Sequence, residues 1–378
     1  AGGKLTKLTL TDVPSRLVVN VVDEDGNVKG ITAGRTLLYT VSKDFTWNLD
    51  TNNKTENDEK LGLFISGKEI KADIPGSVKV TNLSKGTTRE FPSFTLAINS
   101  MVYPDDYKII LGEDITLSTL SLPTKANSIT FATENGSALK FSGTTLNIPT
   151  NVSFECDLIG TNAKPLAVRV SANKTLTIAG ETTNLGAVSG TATSILNVNE
   201  NATFPSVMTF KEVNVAGTKV LAVSGNVSGV NELDGTLELL NSNSKATAVI
   251  KNVGSAEIML CEVNGLLPKL TVTDVITALN VEVVNASGKL PSGKTVMWAG
   301  GVIDFTDKVT VVNKTPTEKD LSPFVYGKEI KAEYPDAITV TVDEVDTNVP
   351  NFTKAFALIT DSTKDYTITL NESLTETK

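Results

Sequence analysis

The chain contains most of a second copy of itself, and no other feature limits its possible folds so strongly. Lys7-Leu-Thr-Leu-Thr-Asp-Val13 returns as Lys269-Leu-Thr-Val-Thr-Asp-Val275, and Gly34-Arg-Thr-Leu-Leu-Tyr39 returns as Gly293-Lys-Thr-Val-Met-Trp298. Asp44-Phe-Thr46 matches Asp304-Phe-Thr306, and Asn53-Lys-Thr55 matches Asn313-Lys-Thr315. Gly67-Lys-Glu-Ile-Lys-Ala72 is identical to Gly327-Lys-Glu-Ile-Lys-Ala332, each with a proline three residues later, Pro75 and Pro335. Phe94-Thr-Leu-Ala-Ile98 resembles Phe356-Ala-Leu-Ile359, and Asp106-Tyr-Lys-Ile-Ile-Leu111 resembles Asp365-Tyr-Thr-Ile-Thr-Leu370. Chance supplies one such match, but not seven in the same order about 260 residues apart. The simplest inference is a tandem array, of which this sequence spans about one and a half units. Stalks and adhesive fibres are repeated in this way; an active site need not be.

A shorter period lies inside the long one. Apolar runs begin near Ala138, Leu166, Ile195, Val220, Thr247, Leu270 and Thr295, at near-regular intervals. Further candidate strands sit between them, such as Thr175–Ile178, Phe210–Val215 and Glu257–Leu260. Asn173, Asn201, Asn226, Gly160, Gly190 and Gly217 supply turn residues. Within the runs apolar and polar residues alternate, as in Leu176-Thr-Ile178 and Val213-Asn-Val215, which is the period of a strand with one buried face. About 25 residues with two or three short strands suits one rung of a solenoid, which must stack on its neighbours to bury its apolar face. The expected fold class is therefore all-β, a parallel β-helix with a short helical cap and small β-rich connectors. An Ig-like sandwich also yields short strands, but not runs at near-constant spacing all the way from Ala138 to Thr295.

One segment has helical spacing instead. Phe94, Ala97, Ile98 and Met101 fall on one helix face, and Thr353–Ile359 repeats the pattern. A helix there would cover the open end of the solenoid, whose unpaired edge otherwise invites aggregation. The expected organisation is an end-of-solenoid segment at 1–43, copying 263–303, then a β-rich connector at 44–90. The cap and β-helix follow at 91–303, a second connector at 304–350 and the start of the next cap at 351–378. Lys79–Thr81 and Ile338–Val342 are the best connector strands.

The succession of the Ala97-Ile98 helix, Asp106–Leu117 and Leu122–Thr130 resembles the opening of pectin-lyase-like repeat regions in large surface proteins of gut Firmicutes. The resemblance is strongest over residues 91–300. It implies a right-handed parallel β-helix and an extracellular location on a bacterial cell surface.

Enzymes of that family are the hypothesis to defeat, as polysaccharide lyases or glycoside hydrolases. The resemblance implies either an Arg or Lys base beside Asp-bound calcium, or clustered aspartates with a histidine. Histidine is absent, which also removes the usual neutral-pH base and the commonest metal ligand. Arg169 is the only arginine in the predicted rungs and reads as an outward, solvated residue. Asp105-Asp106 reads as a turn entering a strand, and no carboxylate pair is singled out for glycoside hydrolysis. No catalytic, cofactor-binding or metal residue is therefore assigned. Asp23-Glu-Asp-Gly-Asn27 resembles the start of a calcium loop but lacks the distant Glu, and reads as a hairpin turn.

Cys156 and Cys261 fall about four coils apart, ~19 Å at strand spacing, beyond the ~7 Å that a disulfide allows between Cα atoms. Both are expected free, buried and structural. Trp47, Trp298, Tyr39, Tyr103 and Tyr326 are the candidates for a sugar-stacking platform. Trp298 and Tyr39 occupy equivalent positions, which favours packing at the solenoid end. A dedicated carbohydrate-binding module would need more aromatics than 6%. The eleven Asn-X-Ser/Thr triplets follow from an Asn- and Thr-rich composition.

A net charge of −9 with only four arginines, Arg16, Arg35, Arg89 and Arg169, argues against nucleic acid as a partner. No apolar run approaches the ~20 residues that span a bilayer, so membrane contact is not expected of this segment. The opening Ala1-Gly2-Gly3-Lys4 has no hydrophobic signal region, as in a mature or excised piece. The function expected is a non-catalytic structural or adhesive segment, with glycans or host surface proteins as partners.

Overall fold

The computed structural model describes residues 7–21, 34–40, 45–53, 61–66, 68–74, 76–240, 246–262, 266–285, 292–301, 305–313 and 321–374. The Asp23–Asn27 turn and most of its counterpart near Asn285 lie outside these residues. The chain is almost wholly β, with about eight turns of parallel stacked solenoid. It divides into two compact units, Ala1–Gly186 and Ala187–Lys378.

The first unit opens with two small sheets. Leu8–Leu10 lies parallel to Arg35–Thr40, which pairs antiparallel with Glu69–Asp73; a hairpin joins that strand to Gly62–Ser66. Leu17–Val21 lies parallel to Leu49–Asn53. Alternating side chains from these strands, including Leu38, Leu63, Ile70 and Ala72, pack with Val13, Phe45 and Leu49 into one core. The hairpin Val78–Asn82 and Thr87–Phe91 follows, and its first strand also pairs antiparallel with Asp106–Leu111. Asp106–Leu111 then starts the solenoid by pairing in parallel, on its other edge, with Ser128–Thr133.

Three strands make each turn of this coil. Ser128–Thr133, Asn151–Phe154 and Thr175–Ile178 stack on one face. Ile115–Leu117, Leu139–Phe141, Leu158–Gly160 and Thr182–Thr183 stack on a second. Thr145–Ile148 and Leu166–Val170 stack on a third. Inward residues from all three, among them Ile129, Phe131, Leu139, Leu146, Ile148 and Val168, are 1% exposed or less. Each such side chain contributes about 1.5–3 kcal/mol relative to exposure, so a shared core is what holds the rungs together. Parallel pairing sets like residues one above another; Phe131 and Phe154 stack with centroids 5.3 Å apart and planes within 11°. Ile129 sits over Val152 and Val152 over Leu176, so these three positions mark successive turns. The apolar runs that suggested longer rungs at this end of the coil alternate between faces: Ala138 leads into the second stack and Leu166 belongs to the third.

In the second unit the corners change character. Asn226–Leu240, Thr247–Glu262 and Lys269–Asn285 are single strands of 15, 16 and 17 residues that run through bends the first unit makes with turns. Register shifts between Val227 and Val230 and between Leu233 and Gly235 provide two bends. Gly235 has φ +88°, and a Cβ there would fall 2.1 Å from the Val215 carbonyl oxygen, so only glycine fits this corner. Of the expected turn residues, Asn173 (φ 59°) and Gly217 (φ 50°) do take left-handed backbone in turns. Asn226 and Gly160 lie within strands.

The coil then meets a second junction that repeats the first. Lys269–Asn285 pairs in parallel with Lys294–Ala299 and Val309–Asn313. Lys294–Ala299 pairs antiparallel with Glu329–Glu333, which forms a hairpin with Ser322–Tyr326. Ile338–Val342 pairs antiparallel with Val345–Val349 and with Tyr366–Leu370.

Among the described residues the two α-helices are α1 (Phe94–Asn99) and α2 (Phe352–Ala357). Ser93 caps α1 by accepting from Leu96 N–H, and Asn351 caps α2 by accepting from Lys354 N–H. The caps fix the true equivalence as Phe94 with Phe352 and Ala97 with Ala355, one helical turn earlier than the Phe94–Phe356 match suggests. A shift of about one turn keeps apolar residues on the same face, which is why the sequences align either way. Phe94, Ala97, Ile98 and Met101 are buried, and Phe94 stacks on Phe131 at 6.2 Å, so α1 seals the first coil.

Candidate functional site

The chemical candidates from the sequence disperse over the structure. Arg169 points outward and is exposed, because Val168 and Val170 on either side take the inward positions. Asp105 accepts from Asn82 at 2.7 Å, and Asp106 begins a strand and accepts from Ser128 at 2.6 Å. Both carboxylates fasten neighbouring strands.

Cys156 and Cys261 are both free. Cys156 faces inward, and burial pushes its thiol up to about 12. Cys261, expected to be buried, is instead half-buried and faces outward, because Leu260 before it takes the inward place in the alternating strand. Its thiol donates to Glu238 at 3.2 Å; burial first, then this carboxylate, pushes it up to about 12. Neither thiol is an activated nucleophile.

The aromatic candidates form no single platform. Trp47 is 6% exposed and packs on Phe91 and Tyr107, with its Nε1 donating to Ser100 O at 2.9 Å. Tyr39 and Trp298 each carry a lysine over the ring, Lys7 at 4.8 Å and Lys269 at 5.2 Å. These are equivalent pairs in the two copies, and they tie Leu8–Leu10 to Arg35–Thr40 and Lys269–Asn285 to Lys294–Ala299. Tyr103 likewise lies under Lys85, at 4.3 Å.

One concavity draws charged groups together. A cavity of about 330 Å³ in the first unit is lined by Arg16, Trp47, Asn48, Asp50, Thr87, Thr88 and Arg89. Arg16 enters just before the strand Leu17–Val21; its Nε and Nη2 donate to Asp50 at 3.0 and 2.5 Å. Arg89 arrives from the hairpin strand Thr87–Phe91. Its Nη2 donates to Leu49 O at 2.7 Å and lies 3.6 Å from Asp50, while its guanidinium sits 5.6 Å over Trp47. Its buried Nε has no hydrogen-bond partner among the described residues. Burial pulls Arg89 below the ordinary guanidinium value, Asp50 partly restores it, and Arg16 lowers it further. Two of the chain's four arginines thus converge on one carboxylate, leaving a positive spot on an acidic chain. Both are visible in the sequence, but nothing local links residues 16, 50 and 89; only strand pairing brings them together.

The second junction keeps the backbone here and replaces the side chains. Register equates Leu17 with Leu279 and Leu49 with Val309, and the hairpins equate Phe91 with Val349. Ala278, Asp307, Thr310 and Thr347 therefore correspond in register to Arg16, Trp47, Asp50 and Arg89, and Asp307, Thr310 and Thr347 are exposed. Its own polar cluster lies elsewhere. Tyr326 donates to Glu333 and accepts from Asn351, and Asn351 also donates to Glu333 at 3.1 and 3.2 Å. Lys354 donates to Val325 O at 2.8 Å and covers the Tyr326 ring. Burial and Glu333 push the Tyr326 hydroxyl well above its ordinary value, so it stays a donor.

Comparison with protein-family models, curated proteins and solved structures finds no match to this chain.

Proposed function

We propose that the chain is a non-catalytic structural and adhesive segment of a bacterial cell-surface protein, displayed outside the cell. In this reading it belongs with the pectin-lyase-like repeat regions of surface proteins that its sequence resembles. Glycans or host surface proteins are its partners. The observation that carries the reading is the repeated junction. One long period after the first, the chain rebuilds the same parallel-to-antiparallel switch, with the same strand register and the same bulge.

A junction rebuilt one long period later is suited to joining like modules. Tyr366–Leu370 corresponds to the strand that starts the first coil and lies at the edge of its sheet. Leu111 is fully buried beneath the first coil, whereas its counterpart Leu370 is 53% exposed. Outward positions of the first coil such as Thr130, Asn147, Ser153 and Thr177 carry uncharged polar side chains, which suits a scaffold.

A glycan array probed with this chain, with reducing-sugar release followed on every hit, tests the proposal. Binding without release supports the adhesive role. Release of reducing ends would overturn the non-catalytic reading and direct mutagenesis to the carboxylates. No binding to glycans or to host-cell extracts would leave only the structural half standing.

A further inference from the structure

We infer that the cavity between Arg16, Trp47, Asp50 and Arg89 is a binding site for a small carboxylate. The site lies in the junction, not on the solenoid faces, so it stands apart from the function proposed above.

Three observations converge on it. First, the volume of about 330 Å³ is at the lower end of the range for small-molecule sites. Second, the charge is unbalanced: two guanidinium groups face one carboxylate, and Arg89 is desolvated with its Nε unpaired and Asp50 no closer than 3.6 Å. A buried guanidinium with unmet donors costs free energy until an anion approaches. Third, the second junction is an internal control. It forms the same strand pairings with Ala278, Asp307, Thr310 and Thr347 at the corresponding register positions, so these pairings do not require the arginine cluster.

The ligand chemistry follows from the donors. A guanidinium fork matches a planar carboxylate through two parallel hydrogen bonds. Arg16, whose side chain is 71% exposed, is free to turn from Asp50 towards an incoming anion while Arg89 supplies a fixed charge beside it. Thr87, Thr88 and Asn48 at the wall offer hydroxyl and amide groups to the body of the ligand. A carboxylate could be presented by an acidic sugar or by a simple organic acid, and titration separates the two.

Trp298→Phe leaves Trp47 as the only indole, a reporter within the cavity wall. Its fluorescence would be titrated at low ionic strength with acetate, with glucuronate and with glucose. A saturable response to acetate and glucuronate but not glucose is expected. Tighter binding of glucuronate marks an acidic sugar as the source, and equal binding marks the carboxylate alone. Arg16→Gln should weaken binding about tenfold, the loss of one charge-assisted pair, with an unchanged melting temperature because Arg16 is exposed. Arg89→Lys, which retains charge but loses the fork, should weaken it similarly. No saturable response to either acid, an equal response to glucose, or binding indifferent to Arg16→Gln in a folded protein would each overturn the inference.

Discussion

The two junctions share a backbone down to one bulge and are fastened by different side chains. In the first, Thr36 and Leu38 flank the irregularity and Tyr39 faces Glu69; in the second, Thr295 and Met297 flank it and Trp298 faces Glu329. Thr36 donates to Glu69 at 3.0 Å, and Thr295 donates to Glu329 at 3.2 Å. Beyond this shared frame they part. The first docks a buried tryptophan on α1 and the hairpin; the second ties Tyr326 and Glu333 to the cap of α2. Strand register is set by main-chain pairing and by the inward apolar pattern, so it survives while the polar and aromatic fasteners drift. The covering differs as well: Leu111 is fully buried, and Leu370 is 53% exposed.

The largest expected contrast comes from that covering. Leu111→Ala should cost about 2–5 kcal/mol, the usual range for emptying a packed core position. Leu370→Ala, at the equivalent but exposed position, should stay within about 0.5 kcal/mol. Denaturant unfolding of both variants measures the difference, and equal losses would mean that the second edge is covered after all.

Next come the fasteners. Trp47→Phe removes the bond to Ser100, and Tyr326→Phe removes the hydroxyl that links Glu333 to Asn351. Each should cost about 1–3 kcal/mol, because a buried partner is left unsatisfied. Hydrogen exchange read segment by segment should show loosening only in the unit that carries the change. Loosening of both would sink the idea of separate fasteners.

A smaller and symmetrical effect is expected at the shared threonines. Thr36→Val and Thr295→Val should each cost about 0.5–1.5 kcal/mol. A difference of more than about 1 kcal/mol between them would show that the frame is less alike than its register suggests.

Near neutral pH the two cysteines contribute least to any contrast. Both thiols have folded values of about 12, above the ordinary 9.0. Between those values the unfolded chain releases protons that the folded one retains, so stability is intact below pH 9 and falls as pH rises towards 12. Thiolate absorbance should appear near pH 9 in denaturant and only near pH 12 in the folded protein. Appearance at the lower value in both would mean that neither thiol is shielded.

Much of the scaffold is legible in the sequence. Seven matched segments locate both junctions, and period-two alternation in runs such as Leu176-Thr-Ile178 gives the strands and their buried faces. The helices follow from Phe94, Ala97 and Ile98. The reading falters where sequence is degenerate. A helix face looks alike after one turn, so matching by residue type pairs Phe94 with Phe356 rather than Phe352. Solenoid faces resemble one another, so runs such as those at Ala138 and Leu166 overstate the length of a rung. Cys261 ends its run, and the boundary does not show which parity faces inward, so its half-exposed position is not evident there.

The sequence by itself determined that the chain repeats, that its rungs are strands, and that it carries no histidine. Those properties are local or compositional, written in spacing, alternation and residue type. Only the tertiary structure decided that Arg16, Asp50 and Arg89 share a cavity and that Trp47 reaches Ser100. It also decided that Leu111 is buried while Leu370 is not. Such relations depend on which strands pair between distant parts of the chain, as Arg16 with Asp50 and Trp47 with Ser100 show. No local pattern encodes them, because the second junction keeps the pairing with Ala278, Asp307, Thr310 and Thr347 at the positions of Arg16, Trp47, Asp50 and Arg89.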